Sequence, residues 1–324
     1  MSMLASLVEK AMKYVLVFLI LFTLNLEAKL KDYFKKPINK SGSHTMKGID
    51  FIYMINLDQR PEKFERSLQQ LHPWGINPYR FSAVNGWELS VDTITAVGVK
   101  YKTGMTLGNM LATYYEKENW KNPVHEYPHK KGRTYFCHCM SLGAIGICLS
   151  HLSVLQDAFD SGYETIWIME DDIEVISDPH ILSKWIKKLD KAVGKDGWDI
   201  LFTDRDTKNN NGHYVPCTSC ALRLNFTPSD KKKFAKRYEV TSDIRYIGAR
   251  FGAYSMIVRR SGMQKLLQFF KKHNIFLPYD MDFIMPDDIQ LFSVIHDIVS
   301  TKPNSPSDNG GPNYGTERDL HIGF

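Results

Sequence analysis

Residues 165–173 read Thr-Ile-Trp-Ile-Met-Glu-Asp-Asp-Ile. Thr165 to Met169 is a short β-branched, aromatic and apolar run, the composition of a strand buried on both faces. It stops abruptly at Glu170-Asp171-Asp172. Upstream, Leu149, Leu152, Leu155 and Phe159 form one stripe at helical spacing, led in by Gly143 to Gly146. Downstream, Ile181, Leu182, Trp185, Ile186 and Leu189 mark a second amphipathic helix, and Trp198 to Thr203 a further strand.

The same alternation extends in both directions. Phe51 to Leu57 reads as a buried strand, and Pro61 then opens a helix, where its missing N–H costs nothing. Phe64, Leu68 and Leu71 give that helix its inner face. Tyr79 to Ser82 is a second strand, followed by the turn residues Ala83 to Gly86. Phe251 to Val258 reads as a strand, and Met263, Leu266, Leu267 and Phe270 as the inner face of the next helix. Glu88 to Cys139 is polar-aromatic and irregular, and loops with short helices are expected there. Asn209–Gly212 and Pro228–Lys233 read as polar loops. Strands alternating with helices predict an α/β fold with a mostly parallel sheet flanked by helices.

The chain has 324 residues, enough for one large domain or two small ones. Hydrophobic residues at 43% and charged residues at 24% exclude wholesale disorder. A net charge of +5, spread along the chain, gives no footprint for nucleic acid.

Three consecutive acids at a strand's carboxyl end lie where open α/β sheets bind ligands. They repel one another, and packing does not explain them. A divalent cation relieves the repulsion. Carboxylates suit Mg²⁺ or Mn²⁺, and Mg²⁺ usually shares its coordination with substrate phosphates. A solvated strand-to-loop turn, or an acid patch at a helix N-terminus, is the plainer alternative.

Several blocks around these acids occur in a telling order. They are Ile55-Asn56-Leu57-Asp58-Gln59-Arg60, Arg80 to Gly86, Gly143 to His151, Ile168 to Ile173, Gly252 to Ile257 and Pro278-Tyr279-Asp280-Met281-Asp282. On them the chain resembles the family 25 glycosyltransferases, which include lipooligosaccharide and procollagen galactosyltransferases. The likeness runs in scattered blocks from about Ile52 to Ser307, with one residue inserted before Cys148-Leu149-Ser150-His151. It implies a GT-A type, Rossmann-like nucleotide-sugar transferase. Such an enzyme moves a hexose, with galactose expected, from a UDP-sugar to a glycan, lipid-linked or hydroxylated protein acceptor, with inversion. The resemblance puts Glu170 and Asp172 on Mn²⁺ (or Mg²⁺). It puts Asn56, Leu57, Arg60, Asn85, Ser150 and Asp171 around the donor. Asp280 and Asp282 are the candidates for the base that deprotonates the acceptor hydroxyl. A non-catalytic nucleotide-sugar or glycan binder of the same fold is the rival reading. His151 reads as structural or substrate-lining.

The expected layout has four parts: a hydrophobic segment at 1–28, a basic linker at 29–47, the transferase domain at 48–302 and a loosely ordered tail at 303–324. Tyr14 to Leu26 is a mostly apolar run of 13 residues without a charge, short of the ~20 needed to cross a bilayer. It fits a cleaved signal, an uncleaved anchor or interfacial helix, or a buried helix. Membrane association is therefore expected, on the cytoplasmic face in a bacterium or in the secretory lumen of a eukaryote. Cys137-His138-Cys139 and Cys217-Thr218-Ser219-Cys220 leave zinc, disulfides and reduced thiols all open. Lys231 to Lys233 read as a solvated face.

Overall fold

The computed structural model describes residues 29–205, 207–208, 213–302, 305 and 307–310. The segment expected as signal or anchor, the loop at 209–212 and most of the tail lie outside the described residues.

Eight strands form the central sheet: β1 (Phe51–Asn56), β2 (Tyr79–Ser82), β3 (Thr165–Glu170), β4 (Ile200–Phe202), β5 (Arg237–Glu239), β6 (Ile244–Ile247), β7 (Ser255–Arg259) and β8 (Leu291–Val294). Their spatial order is β5-β6-β8-β4-β7-β3-β1-β2. β1 pairs with β2 and β3 in parallel, and β4 with β8 likewise. β7 lies antiparallel between β3 and β4, and β6 antiparallel between β8 and β5. All strands except β6 and β7 thus run the same way.

Both faces of the inner strands are covered, which is why β1, β3 and β4 read as nearly unbroken apolar runs. Side chains alternate across the strands. Tyr53, Ile55, Ile166, Ile168, Phe202 and Met256 enter one core. Ile52, Met54, Trp167, Met169, Leu201 and Ile257 enter the other. Helices α1 (Pro61–Leu71) and α4 (Ile181–Val193) cover the second face through Leu71, Leu182, Trp185 and Leu189. Helices α3 (Leu142–Asp160) and α5 (Arg260–His273) cover the first. α3 is apolar on nearly every side because it lies buried inside the molecule. It starts at Leu142, so Gly143 and Gly146 are helical residues rather than a lead-in.

The region from Glu88 to Cys139 holds more order than its sequence suggests. It contains α2 (Val91–Val97) and a four-stranded sheet built from 99–100, 134–137, 112–114 and 124–126. Lys233, expected in a solvated face, is buried and donates to the carbonyls of Met285 and Pro286. The segment expected as a linker lies against the domain, with Leu30 and His44 buried and Lys40 Nζ 2.8 Å from Asp157 Oδ2.

The loop after β2 crosses α3 at very short range. A Cβ added to Gly86 would lie 1.8 Å from the carbonyl oxygen of Leu142, and one on Gly146 would lie 2.6 Å from that of Val84. Gly86→Ala should therefore cost about 3 kcal/mol, the upper end of overpacking penalties, read as a lower urea midpoint. An unchanged midpoint would contradict this close approach.

Candidate active site

The carboxyl ends of β1 and β3 open into a cavity of about 110 Å³ whose walls include Leu57, Asn85, Trp87 and the acids Glu170, Asp171 and Asp172. Asn56, the last residue of β1, is buried and joins the two strand ends. Its Nδ2 donates to Asp171 Oδ2 at 2.6 Å and to the carbonyl of Arg60 at 2.7 Å, while its Oδ1 accepts from Arg80 Nε at 2.7 Å. Ser67 Oγ holds the Asp171 carbonyl at 2.8 Å. Beyond the acids, 173–175 pairs with 299–301 in an antiparallel ribbon, and the N–H of Lys302 donates to the Asp172 carbonyl at 2.9 Å. The backbone of the triplet is therefore fixed on both sides.

The three carboxylates differ in their surroundings. Glu170 Oε1 lies 2.9 Å from His151 Nε2, and the His151 ring stacks on Tyr279 with centroids 4.2 Å apart. Asp171 is satisfied by Asn56, yet burial pushes its pKa up to about 6, against the pull of Lys63 and Asn56. Burial, reinforced by the charges of Glu170 and Asp171, pushes Asp172 up to about 7. Asp172 Oδ1 is enclosed and has no hydrogen-bond partner among the described residues. A buried carboxylate oxygen without a donor, beside two more acids, is the setting a cation would relieve. Glu170 and Asp172 are the residues that could hold one.

Most of the residues expected around the donor converge here. Leu57, Asn85, Ser150 and Asp171 line the cavity. Ser150 is buried and accepts from the N–H of Val84 at 2.8 Å while donating to the Gly146 carbonyl, so it holds the loop bearing Asn85. Asn85 itself accepts from the N–H of Trp87. Arg60 sits behind the cavity wall, 2% exposed, bonded to Glu62 and Asp308.

The two acids at Asp280 and Asp282, on the one-turn helix α6 (Tyr279–Asp282), are not equivalent. Asp282 needs correcting as a base candidate. It is fully buried, ion-paired with the equally buried Arg223, and accepts from the N–H of Leu277. A carboxylate so engaged supports the fold. Asp280 accepts from the N–H of Gly252 at 3.0 Å, and burial, with the Glu170 charge adding, raises its pKa against its backbone hydrogen bonds.

Sequence reasoning missed Lys63, Trp87 and Asp308. Lys63 follows Arg60 by three residues at the start of α1, a spacing that puts both on one side of the helix. Asp308 lies in the expected loose tail and offered no signal. Among the described residues no disulfide joins the cysteines. Cys137 and Cys139 approach with sulfurs 3.1 Å apart. Among the described residues no three His, Cys, Asp or Glu side chains form a ready-made metal cage.

A twisted α/β sheet with an acid triplet at the β3 terminus, facing the β1 loop, is the architecture of a Rossmann-like glycosyltransferase of the GT-A type. The chain belongs to glycosyltransferase family 25: the profile described as glycosyltransferase family 25 (LPS biosynthesis protein) matches residues 49–285. A glycosyltransferase 25 family member of Aedes aegypti is 28% identical over 183 residues, which is 56% of this chain and 24% of that protein. Procollagen galactosyltransferase 1 of Danio rerio is 27% identical over 126 residues, 39% of this chain and 17% of that protein. A human relative named inactive glycosyltransferase 25 family member 3 is 25% identical over 162 residues, 50% of this chain and 23% of that protein. The match thus spans about a quarter of the length of such relatives.

Proposed function

We propose that this chain transfers a hexose, galactose in the first instance, from a UDP-sugar to the hydroxyl of a glycan, lipid-linked or hydroxylated protein acceptor, with inversion. The single observation carrying the reading is Asp172 Oδ1, enclosed in the cavity wall and without a hydrogen-bond partner among the described residues. Glu170 and Asp172 would hold Mn²⁺ or Mg²⁺, which when bound supplies Lewis-acid charge to the departing diphosphate. Two carboxylates suffice for such an ion when the substrate's phosphates complete its shell.

The chain's own residues have separate tasks. Asn56 fixes Asp171 against the β1 loop, which supports Asn56, Leu57, Asn85 and Asp171 as the donor-side wall. His151, held flat against Tyr279, orients the Glu170 carboxylate. In-line attack by the acceptor hydroxyl on the anomeric carbon expels UDP, and the hydroxyl proton passes to Asp280, since Asp282 is engaged by Arg223. Asp280→Asn should lower turnover by about 10²–10⁴-fold, the usual worth of a positioned base, with the urea midpoint unchanged. Near-wild-type turnover would remove Asp280 from the mechanism.

The direct test is a donor screen with Mn²⁺, reading released UDP with and without acceptor. The rival reading, a donor-binding protein without turnover, draws on the human relative whose name calls it inactive. It predicts UDP-sugar binding with no UDP release from any donor. We place the transferase domain at 48–302, next to a membrane, cytoplasmic in a bacterium or lumenal in a eukaryote. The apolar run Tyr14–Leu26 supports that placement.

A further inference from the structure

We propose that Arg60 and Lys63 form an anion subsite for a pyrophosphate-type group, and that the carboxylate of Asp308 occupies it in the ligand-free chain. Asp308 Oδ1 lies 2.7 Å from Arg60 Nη1, and its Oδ2 lies 3.0 Å from Lys63 Nζ. The three side chains are only 2%, 9% and 10% exposed. One carboxylate thus bridges two cations in a largely dry site, with an oxygen on each, as a phosphate would.

The seat for this segment is built from several parts. The indole Nε1 of Trp87 donates to the Asp308 carbonyl at 3.1 Å. Ser141 Oγ donates to the Asn309 carbonyl at 2.7 Å. A Cβ on Gly143 would come within 2.7 Å of that same carbonyl oxygen, so the glycine leaves the room. Lys63, Asp308 and Asn309 all line the cavity that holds the acid triplet. At about 110 Å³ that cavity is far smaller than the ~300–1,000 Å³ of sites for drug-sized ligands. Ser307, Asp308 and Asn309 form part of its wall, so their departure would enlarge it toward Lys63 and Arg60. A diphosphate arriving at Arg60 and Lys63 replaces the Asp308 carboxylate that bridges them, while Glu62 stays on Arg60. The identity of that anion as the donor's diphosphate rests on the function proposed above; the subsite itself does not.

The test uses the full chain in EDTA, with inorganic pyrophosphate as the probe and calorimetry as the readout. Asp308→Asn removes the carboxylate that competes for both cations, so pyrophosphate should bind at least about 10-fold tighter than to wild type, a gain of ~1.4 kcal/mol. Asp308→Glu, which keeps the carboxylate, should stay near wild type. Lys63→Gln should weaken binding in either background. In wild type, pyrophosphate should also shift the Trp87 emission, taken as the difference from Trp87→Phe. Equal or weaker binding to Asp308→Asn, or full affinity in Lys63→Gln, would overturn the proposal. Should pyrophosphate displace Asp308 while no UDP-sugar is turned over, the transferase reading fails and the subsite stands.

Discussion

Asp172→Asn is expected to abolish sugar transfer while making the metal-free protein more stable at pH 8. The carboxyl of Asp172 is raised from the ordinary carboxylate range to about 7, first by burial and then by Glu170 and Asp171, and Asp171 is raised to about 6. Between pH 4 and 7 the folded chain therefore holds more protons on this cluster than the unfolded chain does. Stability from these groups is fully present at low pH and is lost as pH rises through 6 and 7. Asparagine at 172 removes the charge responsible, with an expected gain of about 4 kcal/mol above pH 7, one pKa unit being worth ~1.4 kcal/mol. For a chain of 324 residues, at ~2.1 cal/mol/K of unfolding entropy per residue, that is roughly 6 °C in Tm. Scanning calorimetry at pH 5 and pH 8 checks it: the difference between variant and wild type should be large at pH 8 and small at pH 5. A variant that melts below wild type at pH 8 would mean that the Asp172 charge is already compensated within the chain.

Asp282→Asn should fail in the opposite way, by losing the fold. Arg223 and Asp282 are both fully buried, and Arg223 also donates to the carbonyls of His273 and Asn274. Removing one partner strands the other's charge, at a cost of about 3–5 kcal/mol. The urea midpoint should drop sharply, or the protein should not accumulate in soluble form. Asp280→Asn, two residues away, should keep the wild-type midpoint and lose turnover. A stable but inactive Asp282→Asn would return Asp282 to the reaction.

That contrast marks where sequence reading stops. Asp280 and Asp282 look interchangeable on paper. Two residues along a helical turn, however, point their side chains in nearly opposite directions, one toward Gly252 and one toward Arg223. The order β1-α1-β2 and the strand ending in the acids were readable because burial on both faces writes an apolar run with sharp ends. The reversed direction of β7 was not, since an antiparallel strand buried on both faces carries the same run. The small sheet at 99–137 was missed because its strands are two to four residues long, and one pairs across more than thirty residues of sequence. Within the site, Asn56 and the triplet announce themselves by position at strand ends. The Lys63–Asp308 contact spans 245 residues, and no local pattern encodes it.

The account turns on whether the acids after β3 take up a cation together with a nucleotide diphosphate. Titration of Mn²⁺ followed by electron paramagnetic resonance, with and without UDP, addresses this directly in the wild type and in Asp172→Ala. The expected result is Mn²⁺ binding strengthened by UDP in wild type and weakened at least about 10-fold in Asp172→Ala. Equal Mn²⁺ affinity in the two proteins, or binding indifferent to UDP, would contradict it.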